Sequence, residues 1–197
     1  MITVDHAKKL CIEVHKGQWC KLELFPANET YNLPNYQEFS TLGYFVTDEG
    51  ITNEGNRISY DANLGWCKQL PYHTHPIAVT EMMTTDEEKI VALLHDVIKD
   101  TNYKCTAHIS GNVAYIVTKP YGELLEESRV TIPIWRRLHL LPRTKGMPYM
   151  EYLTEVATDT VATKIKIADM FHNMSSNQSP TQKAKYLEGL KFLLSTL

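Results

Sequence analysis

Ala7, Leu10, Cys11 and Val14 recur at the steps of one helix face, which predicts a first helix over residues 3–16, closed by Gly17. From about 21 to 70 that rhythm stops, and Pro, Asn, Gly and aromatic residues become frequent. Tyr44-Phe45-Val46 and Arg57-Ile58-Ser59-Tyr60 read as short strands around an Asn53-Glu54-Gly55-Asn56 turn. This stretch predicts an insertion of loops with a β-hairpin. Helical pattern returns at Pro76, suited to the first residue of a helix over 76–83. Thr85-Asp86-Glu87-Glu88 has the form of a capping box. Behind it, Ile90, Val91, Leu93, Leu94, Val97 and Ile98 cover most of a helix circumference, so that helix is expected to be largely buried. Residues 111–117 predict another helix or its start. Residues 121–148 carry Arg129, Arg136, Arg137 and Arg143, are interrupted by Pro133 and Pro142, and predict no definite element. Three more helices are expected over 150–157, 161–173 and 181–194. The fold class is mainly α: a helical bundle with a loop and β-hairpin insertion at about 21–70, in one domain over 1–197.

Composition narrows the function classes. The chain has 197 residues, of which 43% are hydrophobic and 22% charged, so it can bury a core without disulfide or metal staples. Its 20 Lys and Arg stand against 23 Asp and Glu, a net charge of -3, which argues against nucleic-acid binding through bulk charge. A small anionic substrate stays open, because a local group of cations can serve it. No apolar run approaches membrane-spanning length, and the opening MITVDHAKKL has no signal-peptide core, so neither a membrane nor a secretory route is expected. Cys11, Cys20, Cys67 and Cys105 form no Cys-x-x-Cys pair and read as reduced thiols of a cytoplasmic protein.

The chemistry is concentrated in a few polar residues set among apolar ones. His95-Asp96 follows Leu93-Leu94 and precedes Val97-Ile98. A buried imidazole and carboxylate are costly unless paired or bound to metal. His75 stands at a helix start in Tyr72-His73-Thr74-His75-Pro76, and Asp169 lies on an amphipathic helix in Lys166-Ile167-Ala168-Asp169. Two imidazoles and two carboxylates from three helices make a mixed nitrogen and oxygen donor set. Such a set suits one divalent ion, Mn²⁺, Fe²⁺ or Zn²⁺, with positions left for water.

The order His75, His95-Asp96, Asp169 resembles that of the HD-domain metal phosphohydrolases. Tyr72-His-Thr-His-Pro-Ile-Ala-Val79, Ala92-Leu-Leu-His-Asp-Val-Ile-Lys-Asp-Thr101 and Lys166-Ile-Ala-Asp-Met-Phe-His-Asn-Met174 narrow the resemblance. They look like the hydrolase half of the RelA/SpoT alarmone enzymes and like their small stand-alone form, the metazoan SpoT homologue type. His15-Lys16-Gly17-Gln18 is similar to the end of that family's opening helix. The resemblance covers about 5–18, 71–119 and 150–193, with roughly fifty residues inserted after the first segment.

The resemblance implies an HD-type helical domain that binds one Mn²⁺ and removes the 3′-pyrophosphate from ppGpp or pppGpp, giving GDP or GTP. It implies His75, His95, Asp96 and Asp169 as metal ligands. It implies Asn173 and Tyr186 near the substrate; Lys166, three residues before Asp169 and near the same helical face, could meet a phosphate, and Lys16 could contact ribose or phosphate. Where the family's hydrolases carry Glu-Asp for water activation, this chain has Lys99-Asp100. Asp100 is therefore the expected general base, with a cation beside it. After Gln18, where the family has a base-stacking Arg, stand Trp19, Cys20 and Lys21; Trp19 or Trp66 could stack on a base instead. The competing expectations are a phosphohydrolase for another nucleotide, such as a deoxynucleotide or NADPH, and a regulatory nucleotide-binding protein without catalysis.

Overall fold

The computed structural model describes residues 1–20, 23–24, 45–47, 50–53, 56–61, 65–100, 103–107, 113–118, 124–175 and 179–197. The described chain is mainly helical. Helix α1 (Val4–Val14) starts where the Thr3 side chain accepts the His6 N–H, and beyond it the chain turns through Gly17 at φ 77°. That left-handed value suits a residue without Cβ.

The insertion is a five-stranded antiparallel sheet: β1 (Glu23–Leu24), β2 (Phe45–Thr47), β3 (Gly50–Asn53), β4 (Asn56–Asp61) and β5 (Gly65–Gln69), in the order β1-β5-β4-β3-β2. The expected hairpin is its centre, with Asn53 paired to Asn56. The strand leading into that turn is β3, while the expected Phe45-Val46 strand lies one place further out; Tyr44 and the turn's Glu54-Gly55 lie outside the described residues. The ends of the insertion return to each other. Cys20 N–H donates to Leu70 O at 2.8 Å, Tyr72 N–H donates to Gln18 O at 2.9 Å, and Trp19 bridges Pro71.

Helix α2 (Thr74–Glu81) begins two residues before Pro76, so the proline occupies the first turn, where no N–H is required. Helix α3 (Asp86–Leu94) opens with the expected capping box: Thr85 Oγ1 accepts from Glu88 N–H, and Glu88 Oε2 accepts from Thr85 N–H. The long buried helix does not run through. It ends at Leu94, and α4 (Val97–Asp100) follows, so His95-Asp96 form a junction rather than a helix interior.

Residues 113–117, the described part of the stretch expected to be helical, are extended instead. Strands β6 (Tyr103–Ala107), β7 (Val113–Thr118) and β8 (Leu124–Thr131) form an antiparallel meander. Ala114 and Ile116 are buried while Val113 and Tyr115 are half-buried, a two-residue alternation that the short window concealed. The unassigned stretch contains α5 (Ile132–Leu140), capped by Thr131. Pro133 starts this helix and Pro142 follows its end, so both prolines punctuate it without breaking it.

Helices α6 (Tyr149–Val156), α7 (Thr160–Ser175) and α8 (Pro180–Leu194) lie within two residues of their expected bounds. The core gathers Ala7, Leu10 and Cys11 of α1, Val91 to Leu94 of α3, Leu138 of α5, Leu153 of α6, Ile165 and Met170 of α7, and Leu193 of α8. Helix α3 packs against α1, α2, α5 and α7. Its C-terminal end thereby delivers His95-Asp96 to the middle of the bundle. Among the described residues no helix is long and apolar enough to cross a membrane.

Candidate metal centre

His75 in the first turn of α2, His95 and Asp96 at the α3–α4 junction, and Asp169 on α7 are all buried and converge. His75 Nε2 lies 3.1 Å from Asp169 Oδ1 and 3.6 Å from Asp96 Oδ2. His95 Nε2 lies 3.2 Å from Asp96 Oδ2, a close approach for adjacent residues, which point about 100° apart on an unbroken helix. His75, His95 and Asp96 form a group that could hold a metal ion, with one donor atom from each within 4.8 Å of the others.

Supporting side chains fix these donors. His95 Nδ1 donates to Ala92 O at 2.6 Å, which leaves Nε2 with the lone pair in a neutral ring. That Nε2 is buried and makes no hydrogen bond. Tyr72 Oη donates to Asp96 Oδ2 at 2.8 Å. Lys166 Nζ donates to Asp169 Oδ2 at 2.6 Å, and Asn173 Nδ2 donates to Asp169 Oδ1 at 2.5 Å. His75 Nδ1 meets His172 Nδ1 at 2.7 Å.

The electrostatics describe two buried carboxylates in need of positive charge. Burial alone would raise the Asp96 pKa, yet His95 and His75 hold it below the usual carboxylate range. Burial opposes ionisation of Asp169 too, and Lys166 with His75 outweighs it. Burial would lower His95, but Asp96 and Asp169 push it up to about 9. Lys166 is likewise raised despite burial, chiefly by Asp169. A divalent cation would meet the same demand, and buried imidazole nitrogens beside two carboxylates are a donor set that fits one.

The cluster borders a cavity of about 390 Å³. Lys99, Arg143, Lys166 and Lys185 line it, as do Tyr149, Tyr186 and Asn173. Thus Lys99, Lys166, Asn173 and Tyr186 of the expected site face one space. Lys16 is exposed at the end of α1 and does not line it. Asp100 ends α4, and its side chain lies outside the described residues, as does that of Trp66. Trp19 is half-buried at the base of the insertion. Sequence reasoning passed over Tyr72, His172, Arg143 and Lys185. His172 sits three residues after Asp169 on α7, and that helical spacing was the available signal, whereas Tyr72 lies in the turn before α2.

No family model matches the chain. Over 108 residues it is 30% identical to a protein named "Probable GTP pyrophosphokinase" from Mycobacterium leprae (strain TN). The matched stretch is 53% of this chain and only 13% of that protein, so the chain is similar to a small part of it.

Proposed function

We propose that this chain is a metal-dependent (p)ppGpp 3′-pyrophosphohydrolase, releasing pyrophosphate to leave GDP or GTP. The carrying observation is the convergence of His75, His95, Asp96 and Asp169 beside a cavity walled by Lys99, Arg143, Lys166 and Lys185. A buried set of imidazole and carboxylate donors suits a divalent cation, and a cationic wall suits phosphates. Similarity to a protein named for GTP pyrophosphokinase supports a guanosine polyphosphate as the substrate class. The His and Asp donor set supports hydrolysis as the direction.

The four ligands would hold one Mn²⁺, with Fe²⁺ or Zn²⁺ as alternatives of similar donor preference. A cation held there supplies Lewis acidity toward a phosphoryl oxygen and lowers the pKa of bound water. The chain's own residues do the rest. Tyr72 orients Asp96, while Lys166 and Asn173 orient Asp169. Arg143 and Lys185 attract the phosphates, and Tyr149 and Tyr186 offer flat walls to the nucleoside. Asp100, four residues after Asp96, takes the proton of the attacking water. That water's oxygen bonds to the 3′-linked phosphorus, pyrophosphate leaves as the bond to the 3′ oxygen breaks, and the proton held by Asp100 passes to the 3′ oxygen, which remains as the hydroxyl of GDP or GTP.

Lys99, exposed on the cavity wall, favours one second reading. In it the substrate is a different phosphorylated nucleotide, with Lys99 on a phosphate. The test is a panel of ppGpp, pppGpp, deoxynucleoside triphosphates and NADPH with Mn²⁺, following pyrophosphate and orthophosphate. Conversion of ppGpp to GDP and pyrophosphate, lost in Asp96→Asn, is the expected result. Release only from another member selects the second reading, and release from none contradicts both.

A further inference from the structure

One helix grips both ring nitrogens of His75. Asp169 of α7 stands 3.1 Å from Nε2, and His172, three residues further along α7, places its Nδ1 2.7 Å from His75 Nδ1. The two rings lie 4.7 Å apart at 57°, so this is an in-line nitrogen contact rather than a stack. A contact that short between two nitrogens needs one proton between them. A neutral imidazole carries a single N–H, so the proton's position decides which nitrogen of His75 has a lone pair.

For His75 Nε2 to face a cation, its proton must sit on Nδ1 and have an acceptor. The atom in place is His172 Nδ1. His95 solves the same problem differently, giving its Nδ1–H to the Ala92 carbonyl, which can only accept. For His95 the backbone therefore sets the tautomer; for His75 a side chain does.

We infer that His172 is a positioning residue, which accepts the Nδ1–H of His75 and so commits His75 to presenting a bare Nε2 to a metal ion. The inference rests on the proposed metal site. A metal-bound histidine is generally oriented through its other nitrogen, and loss of such a partner typically lowers metal affinity about 10- to 100-fold. His172 carries its own proton on Nε2 in this arrangement, directed away from His75.

Asparagine places its side-chain oxygen where histidine has Nδ1, so His172→Asn keeps an acceptor and His172→Phe removes it. Mn²⁺ affinity is measured by electron paramagnetic resonance titration of the three proteins. His172→Phe is expected to bind about 10- to 100-fold more weakly, and His172→Asn within a few-fold of the parent. Nitrogen-15 spectra of the parent loaded with diamagnetic Zn²⁺ should show the His75 proton on Nδ1, a readout that needs no variant. A His75 proton on Nε2 in that protein, or parental Mn²⁺ affinity in His172→Phe, overturns the inference alone. A parent that binds neither ion overturns the metal site and the inference with it.

Discussion

Asp96 receives the Tyr72 hydroxyl at 2.8 Å while lying within 3.6 Å of both imidazole Nε2 atoms. Tyr72→Phe should cost about 1.5–3 kcal/mol of folding stability in the metal-free protein, the worth of one hydrogen bond to a charged group, and weaken Mn²⁺ binding several-fold. A combined thermal-melt and metal-titration series checks this; unchanged affinity would deny Tyr72 its orienting part. Lys99, Arg143 and Lys185 face the phosphates in the proposed site. Arg143→Ala and Lys185→Ala should each raise KM by a few-fold to about tenfold with little change in kcat, since ground and transition states both carry the phosphates. Lys99→Glu separates two roles. A phosphate-attracting Lys99 predicts a higher KM and no gain in kcat. A gain in kcat would mean that a carboxylate at this position serves as base, within the roughly 10²–10⁴-fold scope of general-base catalysis. At this scale, His95, Asp96 and Asp169 were legible as candidates because a polar residue within an apolar run demands a partner, whereas His75, between Thr74 and Pro76, stood out only through its order with them and the resemblance. Tyr72 and His172 were not legible, because tyrosine and an amphipathic-helix histidine are ordinary wherever they occur.

Helix α3 carries the junction residues, and its start is pinned by one carboxylate. Glu88 Oε2 accepts from Thr84 and Thr85, while Oε1 accepts Lys164 Nζ of α7 at 2.8 Å. Lys164 is foremost in holding the Glu88 pKa well below the carboxylate range. A group whose folded pKa is depressed stabilises the fold above its unfolded pKa, about 4.3, and loses that contribution as pH falls toward the folded value. Glu88→Gln should therefore cost about 1–3 kcal/mol at neutral pH. The deficit should shrink below about pH 4, as the carboxylate of the unfolded parent takes up a proton that the folded one does not. Denaturant unfolding at pH 7 and pH 3 measures both; a deficit equal at the two values would contradict the ionised pairing. Most helices were legible, since their caps and faces are local; α5, in a stretch interrupted by Pro133 and Pro142, was not. The meander of β6 to β8 was not, because Ala114 and Ile116 are buried by packing against distant residues and a seven-residue window suits either period. The five-stranded sheet was seen only at its central hairpin, whose turn is a local signal, while β1 pairs with β5 across more than forty residues.

The whole molecule carries a net charge of -3, yet the wall beside its buried carboxylates is cationic. Composition argues only against binding a polyanion through bulk charge and could not show a local reversal of sign, which arises when α4, α7, α8 and the segment after α5 are brought together. The insertion returns to its origin through the Gln18–Tyr72 and Cys20–Leu70 hydrogen bonds, and Tyr72 reaches from that seam to Asp96. The bundle thus holds the donors, while the seam of the insertion braces one of them. The account stands or falls on whether those donors share one cation. Elemental analysis of the purified chain and of Asp169→Ala, after exposure to Mn²⁺ and desalting, tests this most directly. The account predicts about one divalent ion per folded parent chain and almost none in the variant. Equal occupancy in both proteins, or a folded parent that retains no metal, would contradict it.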